Sequence, residues 1–256
     1  MRATTHAREE DGIVAVPTQA SALTRPTLGM MVERSSAMNV VLVGPPGAGK
    51  GTQAGTVAGL VDVAHVASGD LLREISKQNT AVARQMKAHM DRGELVPDEL
   101  TLAVVMARLS EPDCADGFIL DGFPRTVAQA RALDERLARR GRRLRRVIDL
   151  VVPEPVLLGR LSGRWLCRDC HASYHAEFSP PRVSGVCDRC GGVLFQRADD
   201  TLETARRRLE IYDEATRPVL EYYRAAGILV DVPGDLTVGE VTEALREAIL
   251  TSPEEL

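Results

Sequence analysis

The sequence predicts an α/β protein in which a parallel sheet carries helices on both faces and two insertions interrupt the alternation. Short apolar runs without polar alternation are each followed by a segment with helical spacing, as expected for strands buried on both sides. A glycine-rich loop joins the first of these runs to the first helix. Two segments of different composition separate the strand–helix pairs. We therefore expect the folded core to span residues 38–256.

Four strand–helix pairs are expected along the chain. In order, the strands and helices occupy 40–43 and 53–60, 118–120 and 127–139, 147–152 and 156–161, and 228–232 and 238–250. The last helix begins with a capping box, in which Thr237 is followed three residues later by Glu240. One apolar side is predicted for this helix, formed by Val238, Val241, Leu245 and Ile249.

The remaining segments are an N-terminal arm and two insertions. Residues 1–37 show neither the strand nor the helix period and are predicted to be disordered. Met38 directly precedes the first strand, so a native arm and a natural start at Met38 both remain open. Residues 67–96 are predicted to be a helical insertion, and residues 163–200 an insertion rich in cysteine, proline and glycine. Such segments are candidates for mobile flaps over a site.

The overall composition excludes several classes of protein. The chain has 32 basic and 36 acidic residues, a net charge of −4, and 44% hydrophobic residues, which disfavours complete disorder and a strongly cationic nucleic-acid binder. No run reaches the roughly 18 to 20 apolar residues of a membrane helix, and the N-terminus lacks a signal peptide's apolar stretch. We expect a cytoplasmic protein with reduced thiols.

Residues 44–52 read Gly-Pro-Pro-Gly-Ala-Gly-Lys-Gly-Thr between a strand and a helix, which is the context of a P-loop. Backbone N–H groups and the helix N-terminus would surround phosphate oxygens, and Lys50 would reach the outer phosphates. The alternative is a glycine-rich turn with an accidental lysine. Gly51 replaces the usual magnesium-ligating hydroxyl, so we expect Asp121 to be an outer-shell magnesium anchor. A carboxylate that caps the next turn is the alternative for Asp121.

Two C-x-x-C pairs predict a metal site in the second insertion. Cys167 and Cys170 are separated from Cys187 and Cys190 by 16 residues, a spacing typical of zinc ribbons. Four thiolates fill a tetrahedral site, so the zinc is expected to be structural. A redox pair, an iron–sulfur site and unrelated buried thiols are the alternatives. His171 and His175 are interpreted as surface residues and Cys114 as a structural thiol.

Together, four motifs resemble those of the adenylate kinase family, in the same order. They are residues 47–52, 68–70, 121–125 and 197–200. The resemblance covers about residue 38 to the C-terminus, and residues 164–197 are similar to the zinc-containing lid of bacterial long-lid members. The resemblance implies a P-loop core, an insertion at 67–96 that binds the nucleoside monophosphate, and a lid at 163–200.

The resemblance also implies roles for individual residues. The implied ATP-binding residues are Gly47, Ala48, Gly49, Lys50, Gly51, Thr52, Arg160, Arg164, Ser173, Tyr174 and Leu236. The implied AMP-binding residues are Ser68, Arg73, Glu94, Leu95, Val96, Gly122, Phe123, Pro124, Arg125, Gln129, Arg197 and Arg208. The implied catalytic residues are Lys50, Arg125, Arg164, Arg197 and Arg208. Cations suit this role because phosphoryl transfer depends on positioning and on neutralising charge.

The implied activity is reversible, magnesium-dependent phosphoryl transfer from ATP to AMP, which yields two ADP and maintains the adenine nucleotide pool. Ser68 stands where the family usually has threonine, and its hydroxyl favours AMP over UMP or CMP. We expect a monomer with a structural zinc and without nucleic-acid or membrane partners. A kinase for another monophosphate is one alternative. The other is a zinc-ribbon module that binds nucleic acid through Arg139 to Arg146, although a solvated helix face is favoured for residues 131–146.

Overall fold

The computed structural model describes residues 37–170, 172–177, 179–196 and 202–251 of the chain. Its strands are β1 Met38–Val43, β2 Ala64–Ala67, β3 Gly117–Asp121, β4 Arg146–Val151, β5 Arg164–Cys167, β6 Ser173–His175, β7 Leu194–Phe195 and β8 Leu229–Pro233. Its α-helices are α1 Lys50–Leu60, α2 Ser68–Ser76, α3 Ala81–Asp91, α4 Asp98–Arg108, α5 Val127–Ala138, α6 Glu154–Ser162, α7 Leu202–Ile211, α8 Arg217–Ala225 and α9 Val238–Leu250. Disorder was predicted for residues 1–37, of which all but Ala37 lie outside the described residues.

The central sheet has five parallel strands in the order β2-β3-β1-β4-β8. This confirms the predicted sheet and its four strand–helix pairs. Pairing of β1 with β3 sets Leu42 opposite Asp121, and pairing of β2 with β3 sets Ala67 opposite Asp121. The carboxyl ends of these three strands therefore meet at one edge of the sheet. Periodicity did not predict β2, which is only four residues long, nor did it predict α4, α7 or α8.

Side chains alternate between the two faces of the sheet. Val40 and Leu42 of β1 pack with α1, α6 and α9, whereas Val41 and Val43 pack with α4, α5 and α8. Every apolar residue in the middle of β1 is therefore buried, which explains the absence of polar alternation. The capping box of α9 is present, with Thr237 bound to Glu240. Val238 is 60% exposed, contrary to the predicted apolar side of α9, because it is the first helical residue.

The helical part of the arginine-rich stretch is the solvated face that was predicted, since Arg131 and Arg136 of α5 are exposed, but some arginines after the helix differ. Arg146 lies on β4 with 2% exposure, and its Nη2 donates to the Thr251 carbonyl at 3.1 Å. Arg142 donates to the Asn39 side chain and to the Cys114 carbonyl. These guanidinium groups satisfy main-chain and side-chain oxygens, so part of the stretch stabilises the core.

The two insertions are built differently. Helices α2 and α3 enclose a small apolar cluster of Leu72, Met86 and Val96. The second insertion is a three-stranded antiparallel sheet in the order β6-β5-β7, and it precedes α7 in the chain. Of the helices in the described ranges, none is both long enough and apolar enough to cross a membrane.

Candidate active site

A large cleft lies at the carboxyl ends of β1, β2 and β3. Its volume is about 1320 Å³, and it is lined by the P-loop, by both insertions and by the turn before α9. Small-molecule sites usually measure about 300 to 1000 Å³, so the cleft has room for more than one small ligand. Crevices at the carboxyl ends of parallel strands are the usual ligand sites of open α/β sheets.

The P-loop leads directly into the N-terminus of α1. Gly49 is the residue that caps this helix, and it adopts φ = 96°, a left-handed conformation that glycine tolerates. Gly49 caps α1 without a side-chain hydrogen bond, and its carbonyl accepts from the Thr52 N–H at 3.0 Å. An anion at the loop would face this N-terminal turn. Lys50 folds back over the loop, where its Nζ donates to the carbonyl of Gly44 at 2.6 Å and to that of Pro45 at 2.9 Å.

Lys50 lies among other charged groups of the cleft. Burial lowers the pKa of Lys50 to about 8, opposed mainly by Asp121, while Arg125 and Arg208 lower it further. Two arginines from separate parts of the chain are thus close enough to repel the Lys50 ammonium. A phosphate placed among these three cations would relieve their repulsion, and this is the feature of the cleft that most favours a polyanionic ligand.

The Asp121 carboxylate lies beside the first turn of α1. A Cβ at position 51 would lie 3.6 Å from Asp121 Oδ2. The Asp121 carboxylate is therefore close to Gly51, the residue that follows the P-loop lysine. His65 of β2 faces the same carboxylate, with Nε2 4.0 Å from Oδ2. That nitrogen is buried and makes no hydrogen bond within the described part of the chain. Sequence reasoning missed His65 because it missed β2.

All residues predicted on the ATP side line the cleft. Arg160 of α6 donates from Nη1 to the Gly234 carbonyl at 2.8 Å, which ties α6 to the turn before α9. Leu236 in that turn is 46% exposed, so an apolar surface is open to a ligand there. Ser173 and Tyr174 of β6 bring the lid to the same region.

The residues predicted on the AMP side divide into two groups. Arg73, Leu95, Arg208 and residues 122–125 line the cleft. Arg73 is held by Asp70, with Nη2 2.5 Å from the carboxylate. Arg197 falls outside the described residues. Four others do not line the cleft and remain predictions as AMP contacts: Ser68, Glu94, Val96 and Gln129.

Each of these four side chains has another partner. Ser68 donates from Oγ to the Asp121 carbonyl at 3.0 Å, and it is 1% exposed. Glu94 forms an ion pair with Arg92 at 2.7 Å, and Val96 packs in the apolar cluster of the first insertion. Gln129 donates from Nε2 to Asp98 at 2.6 Å and accepts from the Arg125 main-chain N–H at 2.7 Å. Gln129 therefore fixes the backbone that carries Arg125.

Arg125 is oriented by several bonds. Its Nε donates to the Gly122 carbonyl at 2.7 Å, and its own carbonyl accepts from Thr216 Oγ1 at 3.0 Å. Thr216 closes a π-helical turn, Tyr212–Thr216, between α7 and α8. Because α7 also carries Arg208, the π-helical turn connects the two arginines that affect Lys50. Turns of this type occur frequently at functional sites.

A buried acid near the cleft was also missed. Asp149 of β4 is 7% exposed, and its Oδ1 has no hydrogen-bond partner among the residues described. Burial raises the pKa of Asp149 to about 6; Asp231 raises it further, and Lys50 opposes the shift. A single aspartate in a strand belongs to no sequence motif, so its burial and its raised pKa could not be predicted from the sequence.

The four lid thiols form a compact cluster. Their Sγ atoms all lie within 4.8 Å of one another; Cys167 and Cys190 are 3.4 Å apart, and Cys170 and Cys187 are 3.5 Å apart. Zinc–sulfur bonds of about 2.3 Å in a tetrahedron require sulfur–sulfur distances of roughly 3.8 Å, so the cluster fits a zinc ion. No cysteine of the chain is in a disulfide. The Tyr174 hydroxyl is the main cause that lowers the pKa of Cys187 to about 6. At Cys190 a main-chain hydrogen bond with Gly192 is outweighed by the Cys170 and Cys167 thiols, which raise the pKa to about 12.

Comparison with known proteins identifies one family. The sequence model described as adenylate kinase matches residues 42–228. The chain is 49% identical to a protein named adenylate kinase from Desulfitobacterium hafniense (strain DSM 10664 / DCB-2), over 83% of this chain and 98% of that protein. It is 50% identical to the adenylate kinase of Moorella thermoacetica and 48% identical to that of Carboxydothermus hydrogenoformans, over 83% of this chain and 98% and 99% of those proteins.

Proposed function

The chain belongs to the adenylate kinase family and is a nucleoside monophosphate kinase, and we propose that its cleft binds ATP and AMP on opposite sides of Lys50. Lys50, Arg125 and Arg208 line the same cleft, and both arginines lower the pKa of Lys50; this grouping of cations carries the proposal. The reaction is reversible transfer of the terminal phosphoryl group of ATP to AMP, which gives two ADP and balances the adenine nucleotides.

The cations supply the chemistry that phosphoryl transfer asks of a protein. Negative charge spreads over the transferred oxygens, and fixed positive groups stabilise it. Lys50 contributes a compact ammonium, whereas Arg125 and Arg208 contribute planar forks that bind phosphate oxygens in pairs. Arg164 begins the lid strand β5 and lines the cleft, so it joins this set from the ATP side. Arg197 completes the set in the proposal.

Magnesium is proposed to arrive with ATP. When bound, it would neutralise charge on the phosphates and help to orient them. Asp121 supplies a carboxylate beside the P-loop, 3.6 Å from the Cβ position of Gly51. Gly51 itself has no side chain that could bind the ion. Asp121 would act through magnesium-bound water, since small hard cations retain several waters in such sites.

The thiol cluster is proposed to hold a structural zinc. The described residues of the lid bury only Leu166, Cys167, Cys187 and Leu194, and two of these four are cluster thiols. So few buried residues do not stabilise a fold of this size, whereas metal binding supplies folding free energy directly. The zinc holds the lid together and takes no part in the transfer.

AMP is the proposed acceptor. Ser68 keeps a hydroxyl at the end of β2, and this hydroxyl bonds the main chain at the end of β3. The hydroxyl thus positions the start of the first insertion. We further propose that the enzyme acts as a monomer in the cytoplasm, where the thiols stay reduced and available to zinc.

The test is a survey of acceptors. Purified protein is incubated with ATP, magnesium and AMP, CMP, UMP or GMP in turn, and diphosphates are separated by chromatography. We expect rapid ADP formation with AMP, and Lys50→Met should lower the rate by about 10²- to 10³-fold, the usual effect of losing one electrostatic contact to the transition state. A faster reaction with another monophosphate would overturn AMP as the acceptor, and normal turnover by Lys50→Met would overturn the P-loop assignment.

A further inference from the structure

Tyr174 contacts the thiol cluster through its hydroxyl and also lines the cleft. Its oxygen is 3.3 Å from Cys187 Sγ and 2.7 Å from the main-chain nitrogen of Asp188. The ring packs against the lid cluster of Cys167, Cys187 and Leu194, and Tyr174 also lines the cleft. One side chain thus contacts both the metal-binding half of the lid and the nucleotide side.

The hydrogen-bond directions follow from the donors available. The Asp188 N–H can only donate, so the Tyr174 oxygen accepts from it. The hydroxyl hydrogen is then left to point toward the Cys187 sulfur. A metal-bound cysteine is a thiolate, which has no proton and can only accept. The contact is therefore an O–H···S bond from Tyr174 to the sulfur whenever the metal is bound.

Strand pairing connects Tyr174 to the rest of the lid sheet. Tyr174 is in register with Trp165, and its neighbour His175 is in register with Arg164. The hydroxyl therefore attaches the second cysteine knuckle to β6, and β6 is paired with the strand that carries Arg164. A shift of the knuckle would shift the edge of the cleft.

We propose that Tyr174 is a positioning residue that links metal occupancy to the ATP side of the cleft. Its hydroxyl is the outer hydrogen-bond partner of the metal-bound Cys187 thiolate, and its backbone fixes β6 against β5. The inference rests on the proposed zinc site and extends it. Metal binding is measured without turnover, so failure of this inference is distinguishable from failure of the proposed kinase reaction.

The first test removes the hydroxyl and keeps the ring. Tyr174→Phe and the unmodified protein are stripped of metal and titrated with cobalt(II), whose thiolate complexes absorb light. We expect about 10- to 100-fold weaker binding by the variant, the usual effect of losing an outer-shell partner. The sulfur-to-cobalt charge-transfer band should also move, because the hydrogen bond acts on the ligating sulfur, while the d–d bands stay tetrahedral.

Tyr222→Phe is the matched control. The Tyr222 hydroxyl donates to Asp134 at 2.9 Å, on α5 and away from the lid. Its removal should leave cobalt affinity and the charge-transfer band unchanged. An unchanged affinity and band in Tyr174→Phe would overturn the inference. No cobalt uptake by the unmodified protein would overturn the metal site itself, and the inference with it.

Kinetics test the coupling. With metal bound, Tyr174→Phe should raise KM for ATP several-fold and leave KM for AMP unchanged, because the hydroxyl acts only on the lid. In metal-free protein the variant and the unmodified enzyme should have the same KM for ATP. If the variant raises KM for ATP equally with and without metal, the hydroxyl contacts the nucleotide directly and the proposed link is wrong.

Discussion

The two insertions face the same cleft but are stabilised by different interactions. The first packs Leu72, Met86 and Val96 into an apolar cluster between helices. The second has a three-stranded sheet whose buried cluster consists of Cys167, Cys187 and Leu194. A helical segment with one apolar face can be stabilised by packing, whereas a short sheet with few apolar residues needs another source of folding free energy.

This difference indicates how each flap responds to its surroundings. Apolar packing depends on side-chain volume and is independent of metal supply. A thiolate cluster depends on metal supply and on the redox state of the thiols. If the cluster holds the proposed zinc, we expect the first insertion to be sensitive to core substitutions and the second to chelators and oxidants.

The largest expected effect is loss of the lid through Cys187→Ser. The change removes one of four ligands, so metal content should fall from about one ion per chain to nearly none. Thermal stability should fall with it, and hydrogen exchange should become fast in residues 164–196 but not in α2 and α3. Metal analysis, calorimetry and hydrogen exchange check this.

Cys114→Ser is the control for that substitution. Cys114 is fully buried but lies outside the thiol cluster, so this variant should keep its metal. Unchanged metal content and stability in Cys187→Ser would contradict the view that metal holds the lid together.

The second-largest effect is expected in the first insertion, where a substitution perturbs apolar packing and leaves the metal site unchanged. Met86 is 2% exposed, and Met86→Ala should cost about 2 to 5 kcal/mol of local stability by leaving a cavity. KM for AMP should rise and hydrogen exchange in α3 should accelerate, while metal affinity stays constant. Val82→Ala, on the same helix at a residue that is 45% exposed, should have little effect on either measurement. A loss of metal affinity in Met86→Ala would show that the flaps are not independent.

A smaller effect is expected where the first flap meets α7. Gly93 has φ = 72°, and a Cβ there would lie 2.9 Å from Thr204 Cγ2 and 3.2 Å from Arg208 Cγ. Gly93→Ala should therefore raise KM for AMP by pushing the flap from α7, in addition to a strain of about 1 to 2 kcal/mol from the left-handed backbone.

Gly141→Ala separates the two causes. Gly141 has φ = 66°, but nothing lies within 4 Å of its Cβ position, so the substitution causes strain without a clash. It should lower the melting temperature and leave KM for AMP unchanged. Equal KM changes in both alanine variants would refute contact with α7 as the cause.

The smallest effect is expected from a change of pH, which alters the charge of Lys50 in the P-loop and affects neither insertion. The pKa of Lys50 is lowered to about 8, so its ammonium is present below this pH and is lost as the pH rises through it. ATP affinity should therefore weaken by about fourfold between pH 7 and pH 8.5 if only the charged form binds. Binding calorimetry at each pH checks this. Lys50→Arg keeps its charge and should remove the slope; a slope retained in that variant would place the titrating group elsewhere.

The periodicity of the sequence predicted the sheet but not all of its strands. Strand β2 has the sequence Ala-His-Val-Ala, and only its pairing with β3 makes it a strand. Propensity cannot reveal an element whose stability is entirely tertiary. His65, which β2 brings to Asp121, was missed for the same reason.

All residues predicted on the ATP side line the cleft, whereas four of those predicted on the AMP side do not. Residues of the P-loop act through backbone that a short glycine pattern determines locally. Gln129, by contrast, is turned toward Asp98 and the main chain of Arg125, and its partners come from other elements. A motif gives the residue type at a position but not the competing partners that the fold brings to it.

The scarcity of lysine has a practical consequence for labelling. Lys50, Lys77 and Lys87 are the only lysines, and the last two form surface ion pairs with Glu74 and Asp91. Because amines react with acylating reagents in their neutral form, the pKa of about 8 makes Lys50 a candidate for acylation near neutral pH. A single acylation there would report nucleotide occupancy by mass spectrometry, since bound phosphate shields the amine and keeps it protonated.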